Sequence, residues 1–286
     1  MGPVLFNMYI DDLIREVGRH FHVVAYADDI TVIVENTDPN EIIHDVRSTL
    51  DIINNWSNRN NMIINFAKTK IMSLGFDYPS NDYVYEGNPI EIVRSLNILG
   101  IVVDSNLDFK KHLQNISNKI SPILGILNKN KKSIKIDMRI KIYKSLLLPK
   151  ILYGILAWYT NKQINKKNIG MIHKRCLRTI NNKWTSTNSL MKKYGLWDID
   201  QHYKYIINSR TKMFLDNNMS HSIQAYCSKR IKDNITINIP SFRLYKYKTS
   251  PLFRKISEFN KLPKNLRNKN LNYIKFQNQL KNHILI

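Results

Sequence analysis

Residues 21–34 read FHVVAYADDITVIV and indicate how the first part of the chain folds. Two apolar, β-branched runs, 21–25 and 30–34, flank the tetrapeptide Tyr26-Ala27-Asp28-Asp29. Such runs around a short polar segment predict a β-hairpin with the tetrapeptide at its turn. Adjacent carboxylates repel each other, so a tight turn that holds both of them requires a cation or solvent nearby. The hairpin therefore presents either a pair of carboxylates for a hard cation such as Mg²⁺ or an ordinary polar turn.

A second sequence of the same type, Tyr9-Ile10-Asp11-Asp12, lies in a different local context. Leu5, Phe6, Tyr9 and Leu13 follow helical spacing, so the pattern predicts a helix over residues 3–17. Adjacent side chains on a helix point about 100° apart, which keeps two carboxylates away from a common metal. We therefore interpret Asp11 and Asp12 as a solvated helix end.

The segments after the hairpin predict an α+β fold. Asp38-Pro39-Asn40-Glu41 has the signature of a helix start, and apolar spacing continues that helix to Trp56. Short strands are expected at 62–66 and 71–74, with three more over 82–103, of which 98–103 is the strongest. The expected architecture is an antiparallel sheet with helices on one face. From about residue 108 the apolar period becomes helical, and helices are expected at 109–127, 137–148, 150–160, 163–181 and 199–217, before a polar stretch at 218–286.

Charge divides the chain in the same region. Residues 1–100 hold 7 Lys and Arg against 14 Asp and Glu, whereas residues 101–286 hold 37 against 8, and the whole chain carries +22. A strongly basic body attracts polyanions such as nucleic acid, although compositional drift toward Lys, Asn and Ile would also raise the charge. The two distant cysteines, Cys176 and Cys227, exclude a disulfide framework. No secretory leader or membrane-length apolar run is present, so we expect an intracellular protein with no membrane partner.

Several segments, taken in order, resemble the reverse transcriptases of non-LTR, Jockey-like retrotransposons. The matching segments are GPVLFNMYIDDL at 2–13, AYADD at 25–29, NFAKTK at 65–70 after Trp56, LGI at 99–101, and the group Tyr143, Pro149, LYG at 152–154 and Trp158. Phe253-Arg254, Leu262-Pro263, Leu266-Arg267 and Phe276 also resemble the C-terminal tail of such elements. The resemblance covers most of the chain.

The resemblance implies an RNA-directed DNA polymerase that uses an RNA template, a DNA primer and dNTPs with Mg²⁺ or Mn²⁺. It implies that Asp28 and Asp29 bind the catalytic metal and that Lys68 contacts or protonates the leaving pyrophosphate. Tyr26, Ala27, Leu99 and Gly100 would lie against the primer. A solvated surface lysine is the competing interpretation of Lys68. Nuclear localisation is expected by family alone.

The resemblance also implies domain limits. We expect a partial polymerase palm at 1–76 with the YADD hairpin, a primer-grip-like β segment at 77–108, a helical thumb at 109–185 and a basic C-terminal region at 186–286. The family's third aspartate and its fingers do not occur in this sequence, so we expect a C-terminal fragment that is inactive alone. The alternative hypothesis is a remnant of such an element that binds nucleic acid without catalysis, with Tyr143, Tyr153, Trp158, Trp184 and Trp197 as stacking candidates. Packing in the core of the thumb is the competing interpretation of these residues, and the apolar neighbours of Tyr153 and Trp158 favour it there.

Overall fold

A computed structural model describes residues 1–75, 82–159, 163–181, 185–216, 235–237, 250–268 and 270–285. The chain divides into two units. The first contains residues 1–98 and 103–108, and the second contains residues 99–102 and 109–286. None of the described helices is both long and apolar enough to cross a membrane.

Two long helices and short strands form the first unit, which confirms the α+β prediction. The elements are α1 (Gly2–Gly18), β1 (His22–Tyr26), β2 (Asp29–Ile33), α2 (Pro39–Arg59), β3 (Lys70–Ile71), β4 (Asp82–Tyr85), β5 (Asn88–Ile92) and β6 (Ser95–Ile98), followed by β7 (Ile101–Asp104), which continues across the division. The described strands form three small sheets with the orders β1–β2, β3–β5–β4 and β6–β7. The prediction of one antiparallel sheet is therefore wrong, and β3 pairs with β5 in parallel.

Helices α1 and α2 cover one face of the β1–β2 hairpin. Ile10, Leu13 and Val17 are buried at helical spacing on α1, and they cluster with Trp56 of α2. Hairpin residues including Val23 and Val32 pack against this cluster. The predicted start of α2 is confirmed, because the Asp38 carboxylate accepts a hydrogen bond from Asn40 N at 2.9 Å.

Two strand predictions fail for local reasons. Residues 62–66 are not a strand, because the Asn65 side chain accepts a hydrogen bond from Lys68 N at 3.1 Å and closes a turn. The expected strand at 98–103 is split at Leu99 and Gly100, which have φ of +47° and +81°. Positive φ at both central residues is the requirement of a type I′ hairpin turn, so the chain reverses where a continuous strand was expected.

Helices make up most of the second unit over its described residues. Its helices are α3 (Lys110–Lys129), α4 (Ile136–Ile142), a π-helical turn (Tyr143–Leu147), α5 (Leu148–Leu152), α6 (Ile155–Trp158), α7 (Gln163–Arg178), α8 (Thr187–Tyr194), α9 (Ile199–Asp216), α10 (Pro251–Asn260) and α11 (Tyr273–Leu285). The expected helices at 109–127, 163–181 and 199–217 are thus present. Helix α8 and the two helices after residue 250 were not expected from the polar composition there.

Pro149 accounts for the irregular middle of this unit. Proline has no N–H to continue the α-helical ladder, and Leu148 N instead reaches Tyr143 O across a π turn. The expected helix at 150–160 breaks at Gly154, whose φ is +59° and where a Cβ would collide with the Ile101 side chain. Leu147, Ile151 and Trp158 are buried around this break.

Candidate active site

The β1–β2 hairpin carries the sequence-predicted carboxylates at its end. Tyr26 pairs with Asp29 as the last rung of the ladder, which leaves Ala27 and Asp28 as a two-residue turn. Ala27 has φ of +51°, a left-handed conformation that an L-residue adopts at a cost. One carboxylate, that of Asp28, therefore lies in the turn, and the next, that of Asp29, lies at the first residue of β2.

The two carboxylates are open to a ligand. Asp28 and Asp29 are exposed, as is Tyr26 at 67%. Neither aspartate side chain forms a hydrogen bond or an ion pair with another described residue. Asp11 differs, because its carboxylate lies 2.8 Å from the Arg15 guanidinium. The expectation that Asp11 and Asp12 end a helix is wrong, since α1 continues to Gly18, but the helix does hold them apart from any shared site.

The hairpin is anchored on one face only. Val23, Ile30 and Val32 pack on the cluster around Trp56, whereas Val24 and Ile33 are exposed at 60% and 49%. Burial of alternate residues fixes the strand register, because a slip of one residue would exchange the two faces. The inner face therefore fixes the position of the aspartate turn, and the outer face stays accessible.

The residues fit a divalent metal ion in part. Two exposed carboxylates without protein partners are the oxygen ligands that Mg²⁺ and Mn²⁺ bind. The described residues contain no group of three His, Cys, Asp or Glu side chains arranged to hold a metal. Asp28 and Asp29 would therefore supply part of a metal site, and its remaining ligands must come from elsewhere.

Lys68 lies in the turn between α2 and β3. Its side chain is exposed, and its backbone N–H is held by Asn65 at 3.0 and 3.1 Å. The neighbouring Phe66 packs against a separate cluster that includes Leu50 and Tyr85. Among the described residues, no hydrogen bond or ion pair joins the Lys68 side chain to the aspartate turn, so its role stays a prediction.

Leu99 and Gly100 form the β6–β7 turn, and Tyr153 fixes its shape. The Tyr153 hydroxyl donates to Leu99 O at 2.7 Å. A Cβ at Gly100 would lie 3.4 Å from the Tyr153 ring, so the position is close-packed as well as left-handed. Tyr153 itself is 56% exposed, which contradicts its interpretation as thumb core, whereas Tyr143 and Trp158 are each 1% exposed and do belong to the core. Trp184 lies outside the described residues.

A cleft beside this turn was not anticipated from the sequence. Its volume is about 270 Å³, and it is lined by Gly100, His112, Asn115, Ile116, Lys119, Pro149, Lys150 and Tyr153. His112 is buried in the apolar face of α3, and its Nδ1 accepts a hydrogen bond from Val102 N at 3.2 Å. Burial, and then the charge of Lys119, lower the pKa of His112, so its ring is neutral near pH 7. The one signal in the sequence was a histidine within an apolar helical stripe.

The first part of the chain, which contains the aspartate hairpin, is similar in sequence to a known protein family. Residues 1–103 match the family described as reverse transcriptase (RNA-dependent DNA polymerase). The chain is 22% identical over 196 residues to the RNA-directed DNA polymerase from mobile element jockey of Drosophila funebris, an alignment that covers 63% of this chain and 21% of that protein. No solved structure matches the chain.

Two further relatives belong to R1 elements. The chain is 25% identical over 162 residues to the putative 115 kDa protein in type-1 retrotransposable element R1DM of Drosophila melanogaster, covering 55% of this chain and 16% of that protein. It is 22% identical over 177 residues to a retrovirus-related Pol polyprotein from type-1 retrotransposable element R1 2 of Nasonia vitripennis, covering 55% and 41%. The chain thus spans less than half the length of these relatives. Residues 1–103, with the aspartate hairpin among them, therefore match the reverse transcriptase family, and the chain is similar over part of its length to proteins of jockey and R1 retrotransposable elements.

Proposed function

We propose that this chain supplies part of an RNA-directed DNA polymerase that copies the RNA of a non-LTR retrotransposon from a DNA primer. The observation that carries the proposal is the hairpin turn, because the family match includes it and its two carboxylates are exposed without protein partners. Jockey and X-element relatives named as RNA-directed or probable RNA-directed DNA polymerases support the same reaction. Nuclear action is part of this proposal by family.

In the proposed site, Asp28 and Asp29 hold divalent metal, Mg²⁺ or Mn²⁺. When bound, such ions activate the primer 3′-hydroxyl and stabilise the leaving pyrophosphate during nucleotidyl transfer. Tyr26, exposed beside Asp29 on the same face of the hairpin, and Ala27 lie against the primer terminus. The small Ala27 side chain keeps the turn narrow enough for nucleic acid to approach.

Two further positions complete the proposed roles. The Leu99–Gly100 turn lies along the primer backbone, and the absence of a side chain at Gly100 leaves room for the Tyr153 ring that supports the turn. Lys68 contacts or protonates the pyrophosphate. Its side chain is exposed, as this role requires. The role of the Leu99–Gly100 turn has one supporting contact, because the Tyr153 hydroxyl donates a hydrogen bond to Leu99 O and so holds the turn in place.

We infer that the 286 residues alone do not extend a primer. The family resemblance implies a third aspartate near Asp28 and Asp29, and no third His, Cys, Asp or Glu side chain joins them among the described residues. The aligned part of the chain covers 16% to 41% of the three relatives compared above.

The test is primer extension on an RNA template by a chimera that places the upstream reverse transcriptase sequence of the jockey polymerase before Met1. We expect Asp28→Ala or Asp29→Ala to reduce extension by at least about 10²–10³-fold, the range for removing one electrostatic contributor to a transition state. The matched control is Asp11→Asn with Asp12→Asn, the other Tyr-X-Asp-Asp pair, which should extend normally. Full extension by both hairpin variants would refute the assignment.

The second candidate function is nucleic-acid binding without catalysis. The specific observation that favours it is the charge after residue 100, where 37 basic residues face 8 acidic ones. A chimera that extends no primer with the hairpin intact, together with a 286-residue chain that binds an RNA–DNA hybrid in a salt-dependent manner, would favour this alternative.

A further inference from the structure

A groove of about 350 Å³ lies in the second unit, between helices α3 and α7. It is lined by Ser121, Leu124, Gly125, Asn128, Arg175 and Arg178, and none of these six residues is acidic. Its volume is at the low end of the range of ~300–1,000 Å³ for ligand sites. The groove therefore suits a small anionic group better than a large ligand.

The two arginines of the groove are uncompensated. Arg175 and Arg178 lie three residues apart on α7, so their side chains share one face of the helix. Both are exposed, and neither forms an ion pair with a carboxylate of the described residues. Guanidinium groups form paired hydrogen bonds to phosphate oxygens, which makes arginine the preferred residue where phosphate geometry matters.

Further cations fix the end of the helix that carries these arginines. Lys131 Nζ donates to Arg178 O at 2.8 Å, and Arg139 Nη1 donates to Thr179 O at 3.1 Å. Burial, and then the charge of Arg139, lower the pKa of Lys131. These donors neutralise the carbonyl end of α7, so the negative helix terminus does not cancel the positive potential at the groove.

The opposite wall of the groove, on α3, leaves room for a ligand. A Cβ built at Gly125 meets no atom within 4 Å, so the groove is open at this residue. The Ser121 hydroxyl already donates to Ser117 O at 2.8 Å, which removes its proton from use by an anion. The donors that remain are the two guanidinium groups and the amide of Asn128.

We propose that this groove binds one phosphodiester of a nucleic-acid backbone, with Arg175 and Arg178 donating to its oxygens. The inference rests on the proposed function, which supplies the polynucleotide, and it adds the residues that hold it in the second unit. Contacts to phosphate position a nucleic acid without reading its bases, so binding is independent of sequence.

The experiment measures binding of a 20-base-pair RNA–DNA hybrid to the 286-residue chain by fluorescence anisotropy at several salt concentrations. Arg175→Gln with Arg178→Gln should weaken binding about tenfold or more and lower the slope of log affinity against log salt by about 1, because one phosphate contact is lost. The matched control, Lys167→Gln with Lys174→Gln, removes the same charge from exposed positions of the same helix outside the groove. It should weaken binding only a few-fold, through long-range attraction.

Gly125→Leu separates a shaped site from a generally basic surface, because it fills the groove and changes no charge. We expect a loss of about tenfold, whereas Gly125→Ala should bind as the wild type does. Circular dichroism of each variant establishes that the helices are intact. Binding by Gly125→Leu equal to the wild type, or an arginine pair no more important than the lysine pair, would overturn the proposal. Since the measurement requires no catalysis, failure of primer extension does not affect it. Competition by inorganic phosphate at hybrid-like affinity would indicate a site for free anions and would also overturn the proposal.

Discussion

The buried pair formed by Tyr143 and His173 predicts an acid-sensitive second unit. Tyr143 Oη and His173 Nε2 lie 2.6 Å apart, and the two residues are 1% and 3% exposed. Burial, and then the nearby His202, lower the pKa of His173 to about 4, from 6.5 for an unperturbed histidine. Burial also raises the pKa of the Tyr143 phenol, so both groups are neutral at pH 7.

The sign and size of the effect follow from proton linkage. The unfolded chain takes up a proton on this histidine below about pH 6.5, whereas the folded chain resists protonation until about pH 4. Stability contributed by the neutral ring is therefore complete above pH 6.5 and is lost as pH falls toward 4. With these two pKa values, the free energy of unfolding decreases by about 2.5 kcal/mol between pH 7.5 and pH 4.5.

The assay is urea unfolding at pH 7.5 and pH 4.5, followed by tryptophan fluorescence in a Trp56→Phe background. In that background every remaining tryptophan lies in the second unit. His173→Gln cannot titrate, so its stability should fall by about 2.5 kcal/mol less over this pH interval than that of the parent chain. His283→Gln, at an exposed histidine, serves as the control, and the free energy of unfolding of this variant should change with pH as that of the parent does. A purely structural effect of the substitution would lower the free energy of unfolding equally at pH 7.5 and pH 4.5. If the pH dependence of the parent and of His173→Gln agreed within about 0.5 kcal/mol, the reasoning would therefore be refuted.

Two further predictions concern the turns of the candidate site. Ala27→Gly should leave stability within about 0.5 kcal/mol of the wild type, because relief of strain at φ of +51° offsets the greater chain entropy of glycine. Ala27→Val should cost about 1–2 kcal/mol by the same thermal or urea measurement, and equal stability of the two variants would contradict the assigned backbone. Tyr153→Phe should destabilise the second unit by about 0.5–1.5 kcal/mol, the net value of the bond to Leu99 O, and should weaken primer binding in the chimera without changing the turnover of bound primer. A turnover loss without a loss of binding would contradict the positioning role of Tyr153.

The aspartate hairpin could be predicted from the sequence because its determinants are local. The apolar, β-branched runs at 21–25 and 30–34 indicate the strands, and helical spacing around Asp11 separates the two similar tetrapeptides. The failure at 62–66 has an equally local cause, since the Asn65 side chain competes with a strand ladder for backbone donors. Apolar composition predicts a strand there, whereas the turn formed by Asn65 decides the observed structure.

The late helices were missed for a different reason. Residues 251–260 and 273–285 are mostly polar, yet Phe259 and Phe276 are fully buried and pack with their rings 6.5 Å apart. A few large buried side chains at wide spacing are enough to hold such a helix against another helix. The mean hydropathy of the region does not reveal them. The cleft beside Gly100 could not be predicted from the sequence. Lys150 and Tyr153 line it together with residues of α3, and their position depends on the π turn before Pro149.

The six acidic residues after residue 108 help to decide whether the positive charge of that region is compositional drift. Five of the six acidic residues there are described, and each has a local role. Asp137 lies in the first turn of α4, Asp198 accepts from Gln201 N, Asp200 accepts from the Tyr159 hydroxyl, Asp216 pairs with Lys212 and Glu258 pairs with Lys261. Four of these five acids act within their own helices or turns and Asp200 bonds to Tyr159, so they leave most of the surplus of lysine and arginine unpaired. Self-repulsion of that surplus opposes folding, and a bound polyanion would reduce it. Drift alone would also have made the first unit basic, whereas residues 1–100 carry twice as many acids as bases. The reversal of sign between the two parts therefore favours a function that separates them, with carboxylates for metal in the first unit and cations for nucleic acid in the second.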